Sequence, residues 1–372
     1  MKVMTVVGAR PQFVKAAPVS RALRVAHEEI LVHTGQHYDA EMSAWFFRDL
    51  EIPEPDVNLD VGSGTHAAMT AEMLAGLEPV MLRHEPDGVL VYGDTNSTLA
   101  ASVVAAKLEY ATGRRPWLAH VEAGLRSFNA RMPEERNRIV ADHLSDLLLA
   151  PTETAMQHLA REGLDTRSEL VGDVMVEAHE WAVGRAGDHL PEVARGLDRF
   201  VLLTLHRAEN VDERPRLRAI LDGLAIGLPV IFPVHPRTRA VLDEPGAGLP
   251  SNVVSIEPVG YLAMVALEAA AHAIATDSGG VQKEAYLSGV PCITLRSETE
   301  WVETVSAGWN RVVDADPSAV AAALADEAFM DRDRPRPPLY GDGRTAARIV
   351  AALERQQQRV REARSPQEAT AS

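Results

Sequence analysis

Short apolar runs alternate with longer amphipathic stretches along most of this chain, and that rhythm admits few folds. A strand covered on both faces reads as an unbroken apolar run, and such strands belong to parallel sheets whose crossovers are helices. The runs lie at 2–7 (KVMTVV), 30–33 (ILVH), 88–92 (GVLVY), 117–121 (WLAHV) and 146–150 (DLLLA). A second series follows at 200–205 (FVLLTL), 229–234 (PVIFPV), 253–256 (VVSI), 272–276 (HAIAT) and 291–295 (PCITL). Helical periodicity fills the gaps, as at 97–110 and 261–271. The rhythm weakens across roughly 165–199, and 372 residues exceed one ordinary core. The expectation is an α/β protein of two Rossmann-like, doubly wound domains, 1–170 and 171–341, with the active site in a cleft between them. A terminal helix over 342–363 and a loose tail over 364–372 complete the chain.

Charge narrows the partners. A net charge of −16 argues against a general nucleic-acid-binding face and gives no reason to expect attraction to anionic lipid. Cys292 is the single cysteine, so no intrachain disulfide and no zinc-ligand spacing exist. The opening MKVMTVVGARP carries an apolar run too short for a signal peptide or a membrane span. A cytoplasmic protein without nucleic-acid or membrane partners is expected.

Ligands of open α/β sheets bind beyond the carboxyl ends of the strands, and the unusual polar clusters fall there. The first run ends in Gly8-Ala9-Arg10-Pro11-Gln12, with Lys15 one turn on; Arg10 and Lys15 either reach a phosphate or are two solvated cations. The glycine spacing of a dinucleotide fingerprint or Walker loop is absent. Run 88–92 ends in Gly93-Asp94-Thr95-Asn96, where Thr95 or Asn96 suits a helix cap and Asp94 the helix dipole. Run 117–121 ends at Glu122, with Arg126 and Arg138 around the same loop. Pro133-Glu134-Glu135 reads as a helix start, which accounts for one of the two glutamates without chemistry.

In the second half, His206-Arg207 and His235-Pro236-Arg237 follow two runs at equivalent places. The most specific local signal is ATDSGGVQKEA, 275–285. There Ser278-Gly279-Gly280 open a helix whose N–H groups suit a pyrophosphate, and Glu284 suits ribose hydroxyls. Arg296 follows the last run, inside LRSETEWVETV.

Together these segments resemble the non-hydrolysing UDP-N-acetylglucosamine 2-epimerase family. The resemblance runs in order through VVGARPQFVKAAPV, TGQHYD, VYGDTNSTLA, HVEAGLRS, MPEERNR, LLTLHRAEN, TDSGGVQKEA and LRSETEWVE, about residues 3 to 313. It implies a glycosyltransferase-B-like fold whose last helix crosses back to the first domain, and a homodimer acting on a UDP-sugar with neither metal nor nicotinamide cofactor. By that resemblance Asp94, Glu122 and Glu134 handle protons and His206 assists nucleotide departure. Arg10, Lys15, Arg138, His235, Ser278, Gly279, Gly280, Glu284 and Arg296 are the expected substrate-binding residues.

Three features depart from the family pattern. Trp301 replaces an arginine of many relatives, and Met264 replaces a ring that stacks on uracil. Asp39 and Glu72 stand where several bacterial members bind a second, activating UDP-sugar, and two carboxylates there would repel a pyrophosphate.

The implied reaction is reversible C2 epimerisation by elimination and re-addition of UDP through a glycal. The rival readings are an epimerase of a UDP-2,3-diacetamido uronic acid, a hydrolysing epimerase, a glycosyltransferase of the same fold, and a non-catalytic UDP-sugar-binding regulator.

Overall fold

The computed structural model describes residues 1–35, 50–244 and 248–368. Asp39 and the end of the TGQHYD stretch therefore lie outside the described residues, as do 369–372 of the expected tail. Two compact units divide the chain, one formed by 1–178 with 340–372 and the other by 179–339. The division falls inside the helix Val174–Ala186.

In the first unit seven strands form a parallel sheet: β1 (Lys2–Val7), β2 (Glu28–His33), β3 (Val57–Asn58), β4 (Gly88–Tyr92), β5 (Trp117–Val121), β6 (Leu147–Ala150) and β7 (Ser168–Leu170). Their order is β3-β2-β1-β4-β5-β6-β7. The second unit repeats the pattern with β8 (Val201–Thr204), β9 (Val230–Pro233), β10 (Val253–Ile256), β11 (Ala273–Thr276), β12 (Cys292–Thr294) and β13 (Asn310–Val312), in the order β10-β9-β8-β11-β12-β13. In each sheet the winding reverses once, between β1 and β4 and between β8 and β11. The loops leaving those strands splay apart at that point and leave room for a ligand.

Side-chain alternation explains why the central runs are apolar throughout. In the second sheet Val201, Leu203, Val230, Phe232, Ala273, Ala275 and Ile293 point into one core, and Leu202, Ile231, Ile274 and Cys292 into the core on the opposite face. Each fully buried aliphatic or aromatic side chain contributes roughly 1.5–3 kcal/mol. In the first sheet Gly88 pairs with Trp117, and a Cβ at Gly88 would meet the indole at 2.2 Å. Glycine lets that large ring lie flat on the neighbouring strand.

The strands β3, β7 and β13 have no counterpart among the expected runs. All three are two or three residues long, polar, and at a sheet edge. An edge strand covered on one side needs no continuous apolar run, so hydropathy does not report it. The stretch of weak rhythm, 165–199, contains β7 and the helix Val174–Ala186.

Helix ends also moved. The expected 97–110 helix is Asn96–Lys107, with the Thr95 side chain accepting from the Thr98 N–H at 3.3 Å. The terminal helix spans Thr345–Glu368. Gly341 and Gly343 have positive φ, so residues 342–344 turn into that helix instead of belonging to it. The helix packs against Arg10–Leu23 in the first unit, where Trp117 donates to Gln357 (2.7 Å) and His27 meets Glu354 (2.9 Å). No helix of the described residues is long and apolar enough to cross a membrane.

Candidate functional site

The first unit gathers its polar groups at the β1/β4 switch point. Gln12 fixes the loop after β1. Its Oε1 accepts from the Gly8 and Ala9 N–H groups (2.8 and 3.1 Å), and its Nε2 donates to the Tyr92 carbonyl and Thr98 Oγ1 (2.9 and 3.0 Å). With all four bonds made in a buried position, Gln12 ties the ends of β1 and β4 into one rigid rim. Arg10 begins the helix Arg10–Leu23, and its side chain lies outside the described part.

Lys15, one turn into that helix, makes an ion pair with Glu122. Both are nearly buried, at 14% and 6% side-chain exposure, so the ammonium offsets the cost of burying the carboxylate. Glu122 follows β5 directly and has φ of +70°, a conformation that costs a non-glycine residue about 1–2 kcal/mol. The Glu122 and Ala123 N–H groups both donate to the Leu149 carbonyl at the end of β6 (3.1 and 3.2 Å), which holds the turn in place. A Cβ at Gly93 would stand 3.1 Å from Glu122 Oε2 and 3.3 Å from Lys15 Nζ, so the turn after β4 lies against the same pair.

Asp94, next in that turn, accepts from Arg138 at 2.5 Å, and Asn137 donates to the Asp94 carbonyl at 2.9 Å. The helix Pro133–Leu144 thus places Arg138 and Asn137 on the Asp94 turn. The two glutamates at its start have different surroundings. Glu135 is buried and accepts from the Ser127 and Phe128 N–H groups (3.0 and 2.9 Å) and from Arg138 (2.8 Å). Burial works to raise its pKa, but those N–H groups and the guanidinium hold the carboxyl below the usual range. Glu134 is half-buried, and its side chain has no hydrogen bond or ion pair among the described residues. Glu135 is therefore the structural residue, and Glu134 is available for chemistry.

Behind this rim, His120 on β5 contacts Asp142 and the Gly93 carbonyl, both at 2.7 Å. Arg126 contacts Asp142 at 2.7 Å and Glu162 through two bonds of 2.8 Å. Arg126 is committed to this buried network and does not face a ligand.

The second unit repeats the pattern at its β8/β11 switch point. Asp277, fully buried after β11, accepts from the His206 and Arg207 N–H groups (3.2 and 3.0 Å) and from Asn210 (3.2 Å). Its carboxylate also lies 3.1 Å from His206 Nδ1. Burial pushes the Asp277 carboxyl up, but His206 and these donors more than compensate and keep it ionised. With Nδ1 turned to Asp277 and the side chain 41% exposed, His206 presents Nε2 outward, the arrangement of an oriented acid–base imidazole. His235 after β9 has its ring 6.0 Å from that of His206, and its Nδ1 accepts from the Arg237 N–H (3.2 Å). Arg237 itself pairs with Asp212 (2.6 Å).

Ser278 caps the helix Gly279–Ser288 by accepting from the Val281 N–H at 3.4 Å. A Cβ at Gly279 would lie 2.3 Å from Glu300 Oε1, so that carboxylate would have to shift; a Cβ at Gly280 would meet nothing nearer than Ser278 Oγ at 3.8 Å. Glu300 pairs with the buried Arg296 (2.9 Å). Arg296 thus braces the 296–301 loop beneath the helix start. Trp301 is buried and carries Lys283 Nζ 4.2 Å from its ring centre. Glu284 is buried beside Tyr261 and Glu268, whose pKa values are pushed well up by burial first and then by the Glu284 charge. Met264 packs against the core, and Glu72 is exposed on the helix His66–His84.

The structure therefore collects Lys15, Asp94, Glu122 and Arg138 at one switch point, and His206, His235, Ser278, Gly279 and Gly280 at the ends of strands in the other sheet. Gln12, Asn137, His120 and Asp277 carry no role in the sequence reading, yet each holds a predicted residue or its loop in place. Their signal was present: His120 and Asp277 are polar residues in or directly after fully buried strands, where an unpaired side chain would be costly.

Known proteins resemble the chain along most of its length. The family described as UDP-N-acetylglucosamine 2-epimerase matches residues 21–354. A UDP-N-acetylglucosamine 2-epimerase homolog of Methanococcus maripaludis is 45% identical, covering 95% of this chain and 99% of that protein. The UDP-2,3-diacetamido-2,3-dideoxy-D-glucuronate 2-epimerase of Pseudomonas aeruginosa is also 45% identical with the same coverage. Among solved structures, the UDP-GlcNAc 2-epimerase of Methanocaldococcus jannaschii in complex with UDP-GlcNAc and UDP has a TM-score of 0.86 at 41% identity, covering 95% of this chain and 99% of that one. The two Rossmann-like units are those of a glycosyltransferase-B-like fold. With a family model matching most of the chain, a relative 45% identical over nearly all of it and the fold of a solved epimerase, the chain belongs to the UDP-N-acetylglucosamine 2-epimerase family and is an epimerase.

Proposed function

We propose that the chain interconverts UDP-N-acetylglucosamine and UDP-N-acetylmannosamine by eliminating and re-adding UDP. The observation that carries the chemistry is Glu122, held in a left-handed turn against Lys15 at the mouth of a parallel sheet. C2 of the sugar has no adjacent carbonyl, so its hydrogen is not acidic in the ground state. Departure of UDP places cationic character on C1, as in glycoside cleavage, and makes the neighbouring C–H acidic. Gly279 and Gly280, at the helix start that Ser278 caps, supply N–H groups for the diphosphate, and His206, oriented by Asp277, assists its departure. A carboxylate takes the C2 proton to give the 1,2-glycal. UDP then re-adds at C1 while an acid on the opposite face returns a proton to C2. We assign Glu122 and Glu134 to these two roles, with Asp94 as a third proton-handling group.

For the sugar, the N-acetylhexosamine is preferred because the matching family is described by it and the solved Methanocaldococcus jannaschii relative holds UDP-GlcNAc, while the Pseudomonas aeruginosa relative makes the diacetamido uronate the second reading. We further propose that the chain works as a homodimer, to be checked by sedimentation equilibrium. The test of function is to offer the protein each UDP-sugar separately, without acceptor, and follow products by proton and phosphorus NMR. The proposal predicts a UDP-linked N-acetylmannosamine at equilibrium with substrate. Free sugar plus UDP indicates a hydrolysing enzyme, and turnover of the uronate alone refutes the substrate.

A further inference from the structure

We propose that His120 is a positioning residue for proton transfer, held as an imidazolium that braces the turn carrying Asp94 against the strand carrying Glu122. The proposal rests on the reading of Asp94 and Glu122 as proton-handling groups. His120 is fully buried, and both of its ring nitrogens are engaged: Nδ1 with Asp142 Oδ1 and Nε2 with the Gly93 carbonyl, each at 2.7 Å. A carbonyl oxygen has no proton to give. Asp142 has none either, because its carboxylate also accepts from Arg126 (2.7 Å) and from the Gly124 N–H (3.1 Å). Burial would raise the Asp142 pKa, yet His120 and Arg126 hold it below the usual range, consistent with that assignment. Both nitrogens of His120 therefore donate, and a ring that donates twice carries a positive charge.

The charge is balanced locally. His120 and Arg126 are the cations and Asp142 and Glu162 the carboxylates, with His143 at 3.0 Å on the outer oxygen of Glu162. Position gives the brace its function. Gly93 directly precedes Asp94 and takes a φ of +60°, and His120 lies two residues before Glu122 on β5. Alongside the Gly93 N–H, which donates to the Val121 carbonyl at 3.0 Å, the ring holds the spacing between two turns whose side chains must meet the same carbon. Removing the Gly93 bond would let the Asp94 turn drift, and a displacement of about 1 Å lowers a rate by about 100-fold.

The test uses the full chain with histidine labelled in 15N, the His120 signals being identified by their loss in His120→Gln. Between pH 6 and 8 both ring nitrogens should show imidazolium shifts. A neutral ring with one unprotonated nitrogen overturns the proposal, and this readout needs no variant activity. Kinetics then test the brace. In His120→Asn the amide reaches the Asp142 side but not Gly93, and kcat should fall by about 10- to 100-fold with KM within about threefold. In His120→Gln the amide reaches towards Gly93, and kcat should fall less. Equal kcat in wild type and His120→Asn, with the fold intact, overturns the proposal. Turnover by the wild type without exchange at C2 removes the proton-handling reading itself, a failure separate from the protonation result.

Discussion

Replacing Lys15 by methionine separates two roles for one cation. The sequence reading assigns Lys15 to the diphosphate, whereas the structure pairs it with Glu122 at 14% and 6% side-chain exposure. Removing one member of a buried pair leaves the other charge uncompensated and costs about 3–5 kcal/mol. This pair is not fully closed to solvent, so the lower end applies, about 3 kcal/mol. Lys15→Met, which keeps the length of the stem, should therefore lower unfolding stability by about that amount. Lys15→Met/Glu122→Gln should recover most of it, because no carboxylate is left unpaired. In kinetics, loss of a general base's ionised form costs about 100- to 10,000-fold, so kcat should fall while KM for the UDP-sugar stays near wild type. Urea unfolding of the four species in the cycle and steady-state kinetics give both readouts. A raised KM with unchanged kcat would refute the reasoning and return Lys15 to the diphosphate.

Three further outcomes follow from buried groups. His179 is buried, with a pKa lowered to about 4 by burial and then by Arg336. A neutral histidine in the fold against an ordinary one unfolded means stability is complete above pH 6.5 and is lost as pH falls towards 4. That loss is about 3 kcal/mol in all, and it should vanish from the acid limb of urea unfolding in His179→Asn. Glu268 is fully buried with no hydrogen-bond partner for either carboxylate oxygen among the described residues, and burial, then the Glu284 charge, raises its pKa well above the usual range. Its contribution is present below the unfolded pKa and lost as pH rises, so Glu268→Gln should gain stability over wild type at pH 8 and little at pH 4. Gly124 has φ of +83°, and a Cβ there would meet the Ala155 carbonyl oxygen at 2.5 Å. Backbone cannot yield cheaply, so Gly124→Ala should lower unfolding stability by about 2–4 kcal/mol.

Much of this fold was readable because parallel strands covered on both faces must be apolar along their whole length, as GVLVY and WLAHV are. The edge strands Val57–Asn58, Ser168–Leu170 and Asn310–Val312 escaped notice because an edge needs no such run. At the site, polar residues directly after buried strands were legible, and so Asp94, Glu122, His206 and Ser278 stood out. Partnership was not. Nothing in the spacing says that Lys15 meets Glu122 across 107 residues, that Asp277 orients His206, or that Glu135 and not Glu134 is the one bound by backbone N–H groups. Those facts depend on which loops the sheet order brings together, and that order became visible only in the folded chain.

The claim beneath the account is that strand-end carboxylates of the first unit exchange the hydrogen on C2 of a UDP-sugar. Turnover of UDP-N-acetylglucosamine in deuterated water, followed at C2 by NMR, measures this directly. The account predicts one solvent deuterium at C2 of the epimer formed, and no incorporation with Glu122→Gln. Interconversion with the original hydrogen retained at C2 would contradict it.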